Sequence, residues 1–342
     1  MRVLITGGAG FIGSHLVDLH LARGDHVHVL DDLSTGNRAN LAAHQTDPCL
    51  RFDEGDLNGW DGLDEAVAKA DRIYNMAAVV GMFRVLEQPV EVTRVNTMGC
   101  ERLLQCIADA GHRPQTVLIS SSSVYGPAKY EDLHEEADIV ASPDAPLLNY
   151  AISKLSNEIQ GRAYAQKYGI PVTIARLFNT VGLRQSGQYG FVVPRFVQQA
   201  LAGEPLTVFG DGRQTRSFCD VRDTVAILDT LASTPAANGK VVNVGNIQEI
   251  TILELAELVK ARIGSDSPVQ FVPYEKAYGQ SFAQIPQRRP ILDRLTALTG
   301  YRHRYPLVQT IDDLCSHFRM QLARRPAAGA DAGARAALAA SA

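Results

Sequence analysis

The chain opens on a strand, a glycine-rich turn and a helix with almost nothing between them. Val3-Leu-Ile5 is a short apolar run of the kind a buried strand needs, and Thr6-Gly-Gly-Ala-Gly-Phe-Ile-Gly13 follows at once. An apolar pattern with helical spacing then runs from His15 to Ala22. Glycine at positions 7, 10 and 13 permits a tight turn, close backbone approach to a pyrophosphate and close packing of helix on strand. The helix N-terminus adds free N–H groups and the positive end of its dipole. A second strand, His26 to Leu30, ends at Asp31, where a carboxylate can accept both hydroxyls of an adenosine ribose. A glycine-rich turn alone can bind nothing. Strand, turn, helix and trailing acid together read as a dinucleotide site, with Gly7, Gly10, Phe11, Ile12 and Gly13 at the phosphates and Asp31 and Asp32 at the ribose.

The same alternation continues. Leu50–Asp56 reads as a third strand, Asp71–Val79 as a fourth, Thr116–Ser121 as a fifth and Val172–Leu177 as a sixth. Helical runs lie between them, notably Val95–Ala110 and Tyr150–Tyr168. Buried strands alternating with helices imply an α/β fold, a Rossmann-type doubly wound parallel sheet that binds ligands at the carboxyl ends of its strands. After residue 177 the chain is punctuated by Pro194, Gly203, Pro205, Gly210 and Gly212, which suits a smaller C-terminal α/β domain. The expected organisation is a dinucleotide domain of residues 1–176 with 217–246 and a substrate domain of 177–216 with 247–323. Residues 324–342 are rich in alanine and have little to bury, as in a mobile tail.

Composition removes several classes. With 342 residues there is material for one large domain or two smaller ones with ample core. A net charge of −4 offers no basic field for nucleic acid. No stretch approaches the apolar length of a membrane span, and no secretory cleavage site is visible near the start, so a cytoplasmic enzyme is expected. The cysteines, Cys49, Cys100, Cys106, Cys219 and Cys315, are scattered as in a chain of reduced thiols, and neither they nor the histidines show metal-ligand spacing.

Tyr150-Ala-Ile-Ser-Lys154 is the second informative motif. A spacing of four puts both side chains on one helix face, where an ammonium lowers the pKa of a nearby phenol. With Thr6-Gly-Gly-Ala-Gly-Phe-Ile-Gly13, it makes the chain resemble the extended short-chain dehydrogenase/reductases, and among them the nucleotide-sugar epimerases, dehydratases and decarboxylases, over residues 1 to about 320. The resemblance implies bound NAD, with Asp56 near the adenine, Leu57 as a further cofactor contact, and Ala77, Ala78 and Asn96 near the nicotinamide half. Asp31 would repel a ribose 2′-phosphate, and no arginine stands beside it until Arg38, so NAD is expected over NADP. The resemblance also implies a homodimer through the two helical runs named above, Tyr150 as base, Lys154 as its partner, and Ser121 as the hydroxyl at the sugar 4-position.

Ser122 and Ser123 bear on reaction type. Dehydratases of the family carry Asp-Glu at these positions, UDP-glucuronate decarboxylases usually Ser-Glu, and 4-epimerases often small or hydroxyl residues. Dehydration needs a general acid that two serines cannot supply, which excludes a dehydratase. Decarboxylation does not strictly need one, because a C4 ketone makes a C6 carboxylate a β-keto acid. The substrate half resembles the UDP-glucuronate decarboxylases through Arg176-Leu-Phe-Asn-Thr-Val-Gly-Leu-Arg184, with Leu183 where the family has proline, and through Gly203-Glu-Pro-Leu-Thr-Val-Phe-Gly-Asp-Gly-Arg-Gln-Thr-Arg-Ser-Phe-Cys219. The resemblance implies Asn179 at the diphosphate, Phe209 against uracil, and Arg216 and Arg288 on phosphates, with Arg289 the fallback in Gln287-Arg-Arg-Pro290. Arg184 is the choice for the C6 carboxylate. The expected activity is a UDP-glucuronate decarboxylase. The alternatives are a UDP-glucuronate or UDP-glucose 4-epimerase and, from another class, a catalytically silent NAD-binding sensor.

Overall fold

The computed structural model describes residues 1–126, 132–139, 148–187, 191–278 and 287–324. The tail expected over residues 325–342 lies outside them. Seven parallel strands form the central sheet: β1 (Arg2–Thr6), β2 (His26–Asp31), β3 (Leu50–Glu54), β4 (Arg72–Asn75), β5 (Gln115–Ser121), β6 (Val172–Leu177) and β7 (Val241–Val244). Their spatial order is β7-β6-β5-β4-β1-β2-β3. The order reverses between β1 and β4, so a crevice opens there at the carboxyl ends of the strands.

Strand side chains alternate between two cores, as the two-residue period requires. Val3, Ile5, Tyr74, Val117 and Ala175 face one apolar cluster with Leu16, Val17 and the Val221–Ala232 helix. Leu4, Ile73, Leu118 and Ile174 face the other, with Leu63, Val67, Leu103 and Ile107. Both faces are thus covered by helices, which is the condition for an all-parallel sheet. A third cluster is built from Phe196, Leu206, Val208, Leu255, Ile311 and Leu314, from chain segments on either side of β7. The Asp293–Thr299 helix packs back onto the first cluster through Leu295.

Three elements differ from the sequence expectation. The third strand stops at Glu54, because Asp56 turns its carboxylate onto the backbone N–H of Asn58 at 2.9 Å. The fourth stops at Asn75, and the chain beyond it is held by Asn96, whose amide accepts from the Val79 N–H at 2.8 Å and donates to the Val79 carbonyl. The helix expected over Val95–Ala110 begins instead as a π-helical turn at Arg94–Met98 and continues as an α-helix over Gly99–Asp109. No helix among the described residues is long and apolar enough to cross a membrane, and no cluster there could hold a metal ion.

Candidate active site

The glycine-rich turn is bare because no side chain fits. Gly7 has φ +69°, and a Cβ on it would lie 2.7 Å from the Ala77 nitrogen. A Cβ on Gly13 would lie 2.2 Å from the Gly7 carbonyl oxygen. Gly10 caps the Phe11–Leu21 helix without a side-chain hydrogen bond, which leaves the first-turn N–H groups open to an anion. Phe11 and Ile12 pack their side chains on the first cluster, so only their backbone faces the turn. This is the cradle that a dinucleotide pyrophosphate needs.

Asp31 ends β2 beside this turn, buried, and accepts from the N–H groups of Ala9 and Leu33, each at 2.9 Å. Burial pushes its carboxyl above the usual range, against the pull of those two donors. Asp32 accepts from the Ser34 N–H. Asp56 is held below the usual range: partial burial opposes this, but the Asn58 donors and Arg94 outweigh it. Leu57 turns its side chain into the second core and offers its carbonyl to Arg102. Ala77 donates its N–H to the Thr6 hydroxyl at 3.2 Å, which ties the β4 loop, Ala78 included, across the end of β1.

The reacting groups meet at the end of β5. Tyr150 and Lys154 sit in the first turns of the Leu148–Tyr168 helix, and the Tyr150 phenol lies beside the Ser121 hydroxyl, close enough for it to favour the phenolate. Ser121 also caps the short Ser122–Tyr125 turn, accepting from the Ser123 N–H at 3.1 Å and lying 3.2 Å from the Ser123 hydroxyl. Ser122 is buried beneath it. Lys154 is 2% exposed and donates to the Ile119 carbonyl at 3.0 Å. One expectation is corrected here. Burial raises the Tyr150 phenol to about 12, and the Ser121 hydroxyl only moderates the rise. The Lys154 nitrogen stands 6.0 Å from the ring centroid, and its own pKa falls to about 8 through burial. The protein by itself therefore does not activate the phenol; the lysine is the group brought near neutrality.

The substrate residues divide. Asn179 stitches two segments together, donating from its amide to the Ser217 carbonyl at 3.0 Å and accepting at its own carbonyl from the Cys219 N–H. Phe209 has the Arg195 guanidinium over its ring at 4.3 Å, a partner that sequence spacing gave no sign of. Arg288 is depressed to about 10 by burial and by the like charge of Arg216. Arg288 meets no carboxylate among the described residues, whereas Arg289 is ion-paired with Asp132 and approaches Glu249. This separates the two: Arg289 joins the strand pair of Asp132–Leu133 with Arg289–Pro290, and Arg288 faces a second cation, Arg216. Two guanidiniums in one place suit a diphosphate.

Arg184 does not join the serine–tyrosine cluster, which corrects its expected role at the C6 carboxylate. It turns through a left-handed backbone, φ +69°, and pairs with Asp18 at 2.7 Å, while His15 bonds the neighbouring Leu183 carbonyl. Asp18 lies eight residues beyond the cap Gly10, roughly 12 Å down the helix from the glycine turn.

Comparison with known proteins gives the family. Residues 3–245 match the model of the NAD dependent epimerase/dehydratase family. The chain is 33% identical over 321 residues to UDP-glucuronic acid decarboxylase 1 of Danio rerio, covering 94% of this chain and 73% of that protein. It is 32% identical over 324 residues to the UDP-N-acetyl-alpha-D-glucosaminuronate decarboxylase of Bacillus cytotoxicus, covering 93% and 98%. Among solved structures, the UDP-glucuronic acid 4-epimerase of Bacillus cereus, in complex with UDP-glucuronic acid and NAD, superposes with a TM-score of 0.84 at 26% identity, covering 94% of this chain and all of that one.

Proposed function

The chain belongs to the NAD dependent epimerase/dehydratase family and is an NAD-dependent enzyme, and from that premise we propose that it decarboxylates UDP-glucuronate to a UDP-4-keto-pentose and UDP-xylose. The observation that carries the reading is the meeting of Ser121 and Tyr150, with buried Lys154 behind them, at the strand end beside the glycine cradle. The seven-stranded half, residues 1–176 with 217–246, holds the cofactor, and the half around the third cluster holds the nucleotide.

NAD, held by the glycine cradle and Asp31, would supply the acceptor for the hydride leaving sugar C4, the donor that returns it, and positive charge that favours the phenolate. Ser121 aligns the 4-hydroxyl, and Tyr150 takes its proton. Lys154, with a pKa near 8, passes protons at ordinary pH. The resulting 4-keto uronate is a β-keto acid. Its C5–C6 bond breaks, carbon dioxide leaves, and the bonding pair enters the C4 carbonyl. Ser122 and Ser123 offer hydroxyls and no acid, so dehydration is not served. Arg216 and Arg288 hold the diphosphate, with Asn179 beside them and Phe209 against the uracil.

The absence of a carboxylate at Ser123 favours a second reading, UDP-glucuronate 4-epimerisation, which starts with the same oxidation and returns the hydride to the opposite face. Incubation with UDP-glucuronate separates them. Carbon dioxide with UDP-xylose or its 4-keto form supports the first reading; UDP-galacturonate without carbon dioxide overturns it in favour of the second.

The enzyme works as a homodimer. Ile152 and Ile159 lie seven residues apart on one stripe of the Leu148–Tyr168 helix, 44% and 61% exposed, and Met98 stands 58% exposed at the start of the neighbouring Gly99–Asp109 helix. Large apolar side chains on adjoining helices suit a two-fold helical contact.

A further inference from the structure

Three consecutive residues of β5 are bolted to three successive turns of one helix. Ser121 lies beside Tyr150, the Ile119 carbonyl accepts from Lys154, and Ser120, between them, donates its hydroxyl to the Glu158 carboxylate. Tyr150, Lys154 and Glu158 are spaced four apart and so share a helix face. The first two reach the reacting groups. Glu158, one helical turn further on, forms a two-point ion pair with Arg176 of β6 at 2.8 and 2.7 Å. The Arg176 and Glu158 side chains are 5% and 4% exposed.

Arg176 in turn carries the turn that Ser121 caps. Its guanidinium lies 4.8 Å from the Tyr125 ring centroid, at the far end of the Ser122–Tyr125 turn. It also donates to the Glu135 carbonyl. The Tyr125 hydroxyl donates to Asn243 of β7 at 2.7 Å, and Asn243 donates to the Leu133 carbonyl. Glu158 and Arg176 therefore hold both sides of Ser121: the strand residue before it and the turn after it.

We propose that the Glu158–Arg176 pair is a positioning device that sets the Ser121 hydroxyl beside the Tyr150 phenol. A buried ion pair is a weak means of stabilising a fold, since apolar replacements of both partners are often neutral, but it fixes geometry at two points. This role builds on the proposed oxidation at C4, in which Ser121 aligns the 4-hydroxyl. A misplacement of about 1 Å at such a group costs on the order of 10²-fold in rate.

The test uses the paired variant Glu158→Met/Arg176→Met, because removing one partner alone leaves a buried charge and destabilises the protein. The paired variant is expected to keep its melting temperature within a few degrees and its UDP and NAD affinities within about twofold. Its kcat on UDP-glucuronate should fall roughly 10–100-fold. Added to Ser121→Ala, it should cost little more, because both changes remove the same alignment. A merely structural pair would give losses that multiply. Ser120→Ala, which keeps the ion pair, should lower kcat in the same non-additive way and to a smaller extent. Wild-type kcat in both the paired and the Ser120 variants, or multiplying losses, overturns the proposal. A crystal structure of the paired variant judges it independently of the substrate. Ser121 should be displaced from the Tyr150 phenol relative to the wild-type structure, and an unmoved Ser121 overturns the proposal even if wild type proves inert on UDP-glucuronate, an outcome that would count against the proposed function instead.

Discussion

Ser121 and Tyr150 come from different elements, the end of a strand and the start of a helix, and meet side by side, with the phenol held up at about 12 by burial. Lys154, one helical turn on, is moved the other way, to about 8. The site stores its cost in a buried lysine.

That cost is measurable. Folding lowers the Lys154 pKa from 10.5 to about 8, so the unfolded chain binds the extra proton between those values and stability rises with pH across that window. Below about pH 8 the buried ammonium is a full penalty. Lys154→Met should stabilise the cofactor-free protein at pH 7 by up to about 3 kcal/mol, less the lost hydrogen bond to Ile119, and the gain should vanish above pH 10.5. Urea unfolding at pH 7 and pH 10.5 checks it. The same variant should be inactive, and Tyr150→Phe should lose roughly 10²–10⁴ in rate with NAD binding retained.

Ser123 lies 3.2 Å from the Ser121 hydroxyl and offers no acid to protonate C5 after carbon dioxide leaves. Some UDP-4-keto-xylose should therefore escape from wild type, with reduced cofactor left behind. Ser123→Glu should shift the product ratio towards UDP-xylose, read by NMR of the reaction mixture. An unchanged ratio would remove C5 protonation as the reason for release.

Arg288 and Arg216 repel one another, and a diphosphate relieves that repulsion. Arg288→Met should weaken UDP binding by about 1.5–3 kcal/mol, roughly 10–100-fold, while leaving the ligand-free protein as stable as before or more so. Arg289→Met, which breaks the pair with Asp132, should instead lower the melting temperature and change UDP affinity little. Calorimetric titration and thermal scans of both variants distinguish the two roles.

Ile159→Arg places a charge at the centre of the exposed apolar stripe. Light scattering at micromolar concentration should show a monomer for the variant and a dimer for wild type. A wild-type monomer would count against the two-fold contact.

The glycine turn, Asp31 and the Tyr–Lys pair were legible because their chemistry rests on local spacing: a few residues of strand, turn and helix dictate where the groups go. Arg184 was not. Its partner Asp18 stands 166 residues earlier, and its direction depends on a left-handed backbone that no motif announces. The phenol's pKa was misread for a related reason, since spacing shows that a lysine shares a face but not how dry that face is. Arg288 could be separated from Arg289 only once Asp132 was seen to claim the latter. The π-turn that presents Asn96 to Val79 leaves no trace in apolar periodicity.

The seventh strand, Val241–Val244, pairs with β6 across a long stretch of intervening chain, and the Asp293–Thr299 helix settles on the same core later still. A nascent chain that has just left the ribosome with residues 1–177 carries a sheet whose β6 edge is open and a core missing Leu228, Val242 and Leu295. It holds every cofactor residue named above and cannot yet finish the layer that supports them. Synthesis therefore runs ahead of folding, and for the time needed to add residues 178–244 the open edge is a template for unwanted strand pairing that a chaperone would have to shield.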